Sequence, residues 1–66
     1  MKIIRNAIRC NLCGDEIESR YVHEFVWCSC GMVAVDGGTA YLRRSYKGSQ
    51  EDYTEISEYV EEDDAL

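Results

Sequence analysis

Ile3, Ile4, Ala7 and Ile8 open the chain as a short apolar segment, which predicts a first strand running up to Cys10. The stretch from Ser19 to Trp27 is rich in tyrosine, valine, phenylalanine and tryptophan, the residue types that suit a pleated surface, and predicts a second strand. On a period of two, Tyr21, His23, Phe25 and Trp27 share one face, and Val22, Glu24, Val26 and Cys28 the other. From Met32 to Leu42 two strand-like runs flank Asp36-Gly37-Gly38, residue types that tolerate the positive φ of a tight hairpin turn. Arg43 to Tyr46 extends the second arm to a further turn at Lys47-Gly48. Ser49 followed three residues later by Asp52 matches a capping box and predicts a short helical turn. Beyond it, Tyr53, Ile56 and Val60 fit helical spacing, while Thr54, Ile56, Glu58 and Val60 fit strand alternation, so both assignments stand for this segment.

These elements define a small, mainly β fold: an antiparallel sheet of three to five short strands, with a helical turn or last strand near residues 50 to 60. Residues 1–60 form one domain, and residues 61–66 an acidic, disordered tail. A chain of 66 residues has room for one core only. Cores of this size supply no more than about 3 to 5 kcal/mol, so a chemical cross-link is needed.

The formal net charge of −6 is spread unevenly. All seven basic residues lie in the first fifty, against five acids, whereas the last sixteen carry eight acids and no base. Nucleic-acid binding draws its affinity from phosphate neutralisation, so the chain as a whole is a poor generic partner for it. A local exception is the arm Tyr41, Arg43, Arg44, Tyr46 and Lys47, which interleaves bases with aromatic rings.

Four cysteines occur as two pairs, Cys10-x2-Cys13-Gly14 and Cys28-x-Cys30-Gly31, fourteen residues apart. Zinc takes four thiolates at about 2.3 Å, and one tight turn can present only two of them, so a second pair on a returning strand completes a tetrahedron. Each pair ends in Cys-Gly, where glycine permits a sharp turn with amides aimed at the sulfurs. The alternatives are plain core cysteines, a disulfide pair, a redox-active C-x2-C and iron in place of zinc. No signal-like apolar run follows Met1, which predicts a cytoplasmic setting with reduced thiols. One structural zinc ion on Cys10, Cys13, Cys28 and Cys30 is therefore expected. Its binding free energy, on the order of 10 to 16 kcal/mol in small peptides, exceeds what the core can supply.

A four-thiolate site leaves no position for water, which argues against catalysis. His23 and Asp36 are the only residues that suggest it, and a surface histidine and a turn aspartate account for both. The expected function is a non-enzymatic protein-interaction module of unknown partner, with Trp27, Tyr41, Arg43 and Arg44 at the docking surface. The alternative is a nucleic-acid-binding module using Arg5, Arg9, Arg43, Arg44 and Lys47. No apolar run is long enough to span a membrane.

The two Cys-Gly knuckles set among strands, within residues 8–46, resemble the zinc-ribbon family. That resemblance implies a small antiparallel sheet with two metal knuckles, serving as a nucleic-acid-binding or protein-docking module. The second knuckle departs from the usual pattern, with Ser29 alone between its cysteines. The whole chain is also similar to a family of small proteins of low-GC Gram-positive bacteria and their phages. The residues that carry this are Ile3-Ile4-Arg5-Asn6-Ala7, Cys10-x2-Cys13-Gly14-Asp15, Ile17-Glu18-Ser19, Cys28-x-Cys30-Gly31, Val35-Asp36-Gly37-Gly38 and Tyr41-x-Arg43-Arg44. It implies a phage or accessory-gene setting in which small proteins work by binding a host factor.

Overall fold

In the computed structural model, which describes residues 2–61, two small antiparallel sheets pack around one core. The first strand, β1 (Lys2–Cys10), is the longest and organises one sheet. It pairs with β2 (Glu16–Ser19) on one edge, and on the other with β6 (Tyr53–Glu55) and then β7 (Glu58–Val60). The second sheet is a meander of β3 (Val26–Trp27), β4 (Val33–Asp36) and β5 (Arg43–Tyr46), with β4 in the middle. The expected class, a small antiparallel β protein around clustered cysteines, is what the chain adopts. Seven strands are present among the described residues, because β2 is an addition to the predicted set and the segment after the helical turn splits into β6 and β7.

Alternation along β1 buries Ile3 and leaves Ile4 exposed at a register shift, where β1 advances two residues for one of β7. From Asn6 to Ile8 both faces of the strand are covered, and Arg9 alone then faces out before Cys10. Ile8, Cys10 and Ile17 meet Val33, Val35 and Cys28 of the second sheet in the core, with Val26, Met32 and Tyr53 packed at its margin. Val33 and Val35 face the core, and Ala34, on the opposite face at the level of Trp27 and Ser45, is small enough to be fully buried between its neighbours.

The predicted strand Ser19–Trp27 is corrected to the end of β2, a loop, and the two-residue β3. Local bonds divert the backbone: Ser19 Oγ donates to Glu24 O at 2.7 Å, Arg20 N donates to the Glu24 carboxylate, and Glu24 N donates to Tyr21 O. Side-chain bonds of this kind compete with ladder bonds and win where no neighbouring strand offers an alternative. β2, which lies before that stretch, was not among the predicted strands.

The hairpin around Asp36-Gly37-Gly38 exists, but its loop is wider than a tight turn. Asp36 pairs with Arg43, so residues 37–42 all belong to the connection. Asn6 is the reason. Its fully buried amide nitrogen donates to Asp36 O and Gly38 O at 2.9 Å and to Tyr41 O at 3.2 Å, gathering the loop carbonyls onto β1. Gly38 N in turn donates to Ser19 Oγ of β2.

The capping box forms as predicted, with Ser49 Oγ accepting from Glu51 N and the Asp52 carboxylate accepting from Ser49 N, at the start of a 3-10 turn (Gln50–Asp52). The following segment takes the strand alternative, as β6 and β7 broken at Ile56-Ser57. Residues 62–66, most of the predicted acidic tail, lie outside the described residues. No helix among the described residues is long and apolar enough to cross a membrane.

Candidate metal centre

β1 ends at Cys10, and the chain turns at once: Gly14 N donates to Cys10 O at 2.8 Å, Cys13 N points to Cys10 Sγ at 3.4 Å, and Cys10 N donates to Asp15 O. The second knuckle repeats the device after β3. Gly31 N donates to Cys28 O, and Cys28 N donates to Val33 O, which anchors the turn to the start of β4. Gly14 and Gly31 close the two turns with φ of +80° and +73°, the left-handed region in which a side chain is strained.

The two knuckles bring the four sulfurs within 4.8 Å of one another. Cys30 Sγ lies 3.6 Å from Cys10 Sγ and 3.4 Å from Cys28 Sγ. A tetrahedron with metal–sulfur bonds of about 2.3 Å has edges of about 3.8 Å, so the spacing suits one ion, while a disulfide needs about 2.05 Å. Cys10 and Cys28 are buried in the core, and Cys13 and Cys30 are exposed. Because Cys10 terminates a strand of one sheet and Cys28 follows a strand of the other, the cluster is a cross-link between the sheets.

Protons reveal how strongly this cluster concentrates negative charge. Burial pushes the Cys28 thiol up, but the backbone amides of Val33 and Met32 and its sulfur neighbours more than offset this and bring it down to about 6. The Cys13 thiol is held below its ordinary value, first by backbone hydrogen bonding at Asp15 and Cys30. For Cys30 the Met32 amide favours the thiolate, yet hydrogen bonds with the surrounding thiols, Cys28 foremost, together with burial push it up to about 12. Thiols this close push one another's protonation in opposite directions, and a bound cation would relieve that crowding of charge.

Asp15 was not singled out from the sequence, yet it links the knuckles. Its Oδ2 accepts from Ser29 N at 3.0 Å and from Ser29 Oγ at 2.9 Å, tying the residue after the first knuckle to the middle of the second. An aspartate after Cys-Gly looks like any turn residue, so nothing local marks its partner fourteen positions away.

The other predicted residues separate into two groups. Trp27 is 42% exposed, stands beside Phe25 with ring centroids 5.6 Å apart, and has Lys47 Nζ over its ring at 5.3 Å. The exposed Tyr41 carries the Arg43 guanidinium 5.5 Å from its ring. Arg44 does not join them. Its side chain is 10% exposed against 62% for Arg43, and it turns inward to Asn6 Oδ1, the Glu55 carboxylate and Ser57 Oγ. Strand alternation sends neighbours to opposite faces, and the inner face has an acid waiting. Arg5 pairs with Glu18 at 3.4 Å, while Arg9 stays exposed opposite Glu16. His23 is exposed in the loop before β3, and Asp36 is buried with Oδ1 accepting from Gly37 N, the turn role anticipated for it.

Fold and site together define a small antiparallel β protein with a four-cysteine metal-binding centre. A family model described as a domain of unknown function (DUF7695) matches residues 2–46, and the chain belongs to that family. The match takes in both knuckles and strands β1 to β5. No curated protein and no solved structure matches the chain.

Proposed function

We propose that the protein is a non-enzymatic, zinc-stabilised interaction module of the ribbon kind, which docks on another protein. The observation that carries this reading is the division of labour between the two faces of the second sheet. Its inner face supplies Val33 and Val35 to the core that also holds Cys28, while exposed aromatic and cationic side chains collect on the outer face. Four thiolates close the coordination sphere, so the metal would hold the two sheets in register and would not activate water. Zinc is preferred to iron because its filled d shell carries no redox chemistry and suits a purely structural site. Trp, Tyr and Arg are the residues that most often anchor protein interfaces, and Trp27, Tyr41 and Arg43 present them together. The nucleic-acid alternative is weakened by the ion pairs that withdraw Arg5 and Arg44.

The test has two arms. Elemental analysis of the purified protein should find one zinc per chain. The loaded protein, used as bait after nuclease treatment, should retain a partner that a folded variant with Trp27→Ala and Arg43→Ala does not. A metal-free protein that stays folded, or a partner lost on nuclease treatment, would overturn the reading.

A further inference from the structure

Resting on the docking reading just given, we propose that the outer face of the second sheet recognises an extended acidic segment of a partner protein, with an apolar side chain set between two carboxylates. The register places the groups. Trp27 pairs with Ala34, and Ala34 with Ser45, so the indole lies level with Ser45. Arg43 and Lys47 flank Ser45 at two residues on either side, and alternation puts all three on the Trp27 face. Four residues of strand separate the two cations by about 13 Å, and Trp27 stands level with their midpoint, two strands away on β3. An extended peptide laid along β5 meets one cation, passes level with the indole and meets the second cation.

Two features point to carboxylates as the complementary charge. The Lys47 ammonium sits over the indole and ion-pairs with none of the described carboxylates. The Arg43 guanidinium reaches only Asp36, at 3.9 Å, and that carboxylate is already engaged by the Gly37 amide. Both cations are therefore poised over aromatic rings with hydrogen-bonding capacity to spare. The rings gain rigidity from the same contacts, which lowers the ordering cost on binding. The last sixteen residues carry eight acids and no base, so an anionic segment is repelled from that end of the chain. Two cations are too few for a phosphate backbone, which rewards a row of them, but they suffice for two carboxylates.

The experiment uses the full zinc-loaded chain and fluorescein-labelled peptides of about ten residues, with a central Leu-Phe flanked by glutamate, lysine or serine. Trp27 is the only tryptophan, so its emission reports occupancy independently of the label. The glutamate peptide should bind saturably and change the Trp27 emission. Arg43→Gln with Lys47→Gln should weaken it by about tenfold or more, and Arg43→Glu with Lys47→Glu should transfer preference to the lysine peptide. Tyr59→Ser, on the distant β7 ribbon, should leave affinity unchanged and control for non-specific effects. Equal binding of all three peptides would overturn the acidic chemistry while leaving the docking reading intact. Tighter binding of a thymidine oligonucleotide, lost steeply with salt, would overturn both. Failure of every probe to move the anisotropy would overturn the acidic-segment inference alone.

Discussion

Arg44 of β5 and Glu55 of β6 meet fork to fork, Nε and Nη2 each donating to one carboxylate oxygen, across the line where the two sheets join. The same guanidinium reaches Asn6 Oδ1 at 2.7 Å and Ser57 Oγ at 2.9 Å, and Ser57 Oγ accepts from Ala7 N. Four side chains, those of Asn6, Arg44, Glu55 and Ser57, with the Ala7 backbone, thus form one polar junction, opposite in character to the apolar core beside it. The cysteine cluster brings the sheets together at one place and this junction ties them at another.

Removing the junction's planar cation should cost more than the loss of an exposed ion pair. Arg44→Lys keeps the charge but loses the fork and the bond to Asn6, and should lower stability by about 1 to 2 kcal/mol in urea denaturation. If Arg44→Lys matched the wild type, the fork geometry would be irrelevant.

Acid should weaken this junction in a defined window. Burial raises the Glu55 carboxyl, but hydrogen bonding to the Arg44 guanidinium and to Ser57 outweighs it and holds the group below its ordinary value of 4.5. A depressed carboxylate contributes stability above about 4.5 and loses it as pH falls through the folded value. Glu55→Gln should therefore be less stable than wild type at pH 7, by no more than about 1 kcal/mol because the carboxylate is 42% exposed, and should converge with it once pH has fallen through the folded value. Taking the difference between the two proteins at each pH cancels any loss of metal common to both.

The cysteines should not be equivalent. Cys10→Ser removes a buried ligand that also belongs to the core, and should abolish both zinc retention and the native circular dichroism spectrum. Cys13→Ser removes an exposed ligand whose place water can take, and should leave a folded protein of lower zinc affinity. Elemental analysis and circular dichroism on both variants check the order.

Asp15 should govern how well the knuckles are preorganised. Asp15→Asn keeps the size but weakens the acceptor for Ser29 N and Oγ, and should lower zinc affinity by about 10- to 100-fold in competition with a chromophoric chelator. Ser29→Ala should reproduce part of this loss, and the double variant should be less than additive because the two groups share one contact.

Asn6 tests the loop. Asn6→Ala strands three carbonyls and the Arg44 donor in a buried site, and should destabilise by several kcal/mol, with amide exchange accelerated first across residues 37–42.

Much of this molecule was written locally. The spacing of Cys10, Cys13, Cys28 and Cys30, each pair closed by glycine, determined the metal-binding cluster, because a ligand pair on a tight turn is a short-range property. The apolar run into Cys10, the runs around Asp36-Gly37-Gly38 and the Ser49–Asp52 box likewise predicted β1, the β4–β5 hairpin and the helical turn from neighbours alone. What the tertiary structure decided lay in contacts between distant residues. Only the assembled fold shows that Asn6 widens the hairpin loop, that Ser19 and Glu24 bend a stretch of strand-forming residues into a loop, and that Arg44 turns to Glu55 while Arg43 faces water. Alternation says that two adjacent arginines part ways, but which face is inward depends on the sheet that arrives opposite, and no window of sequence contains it.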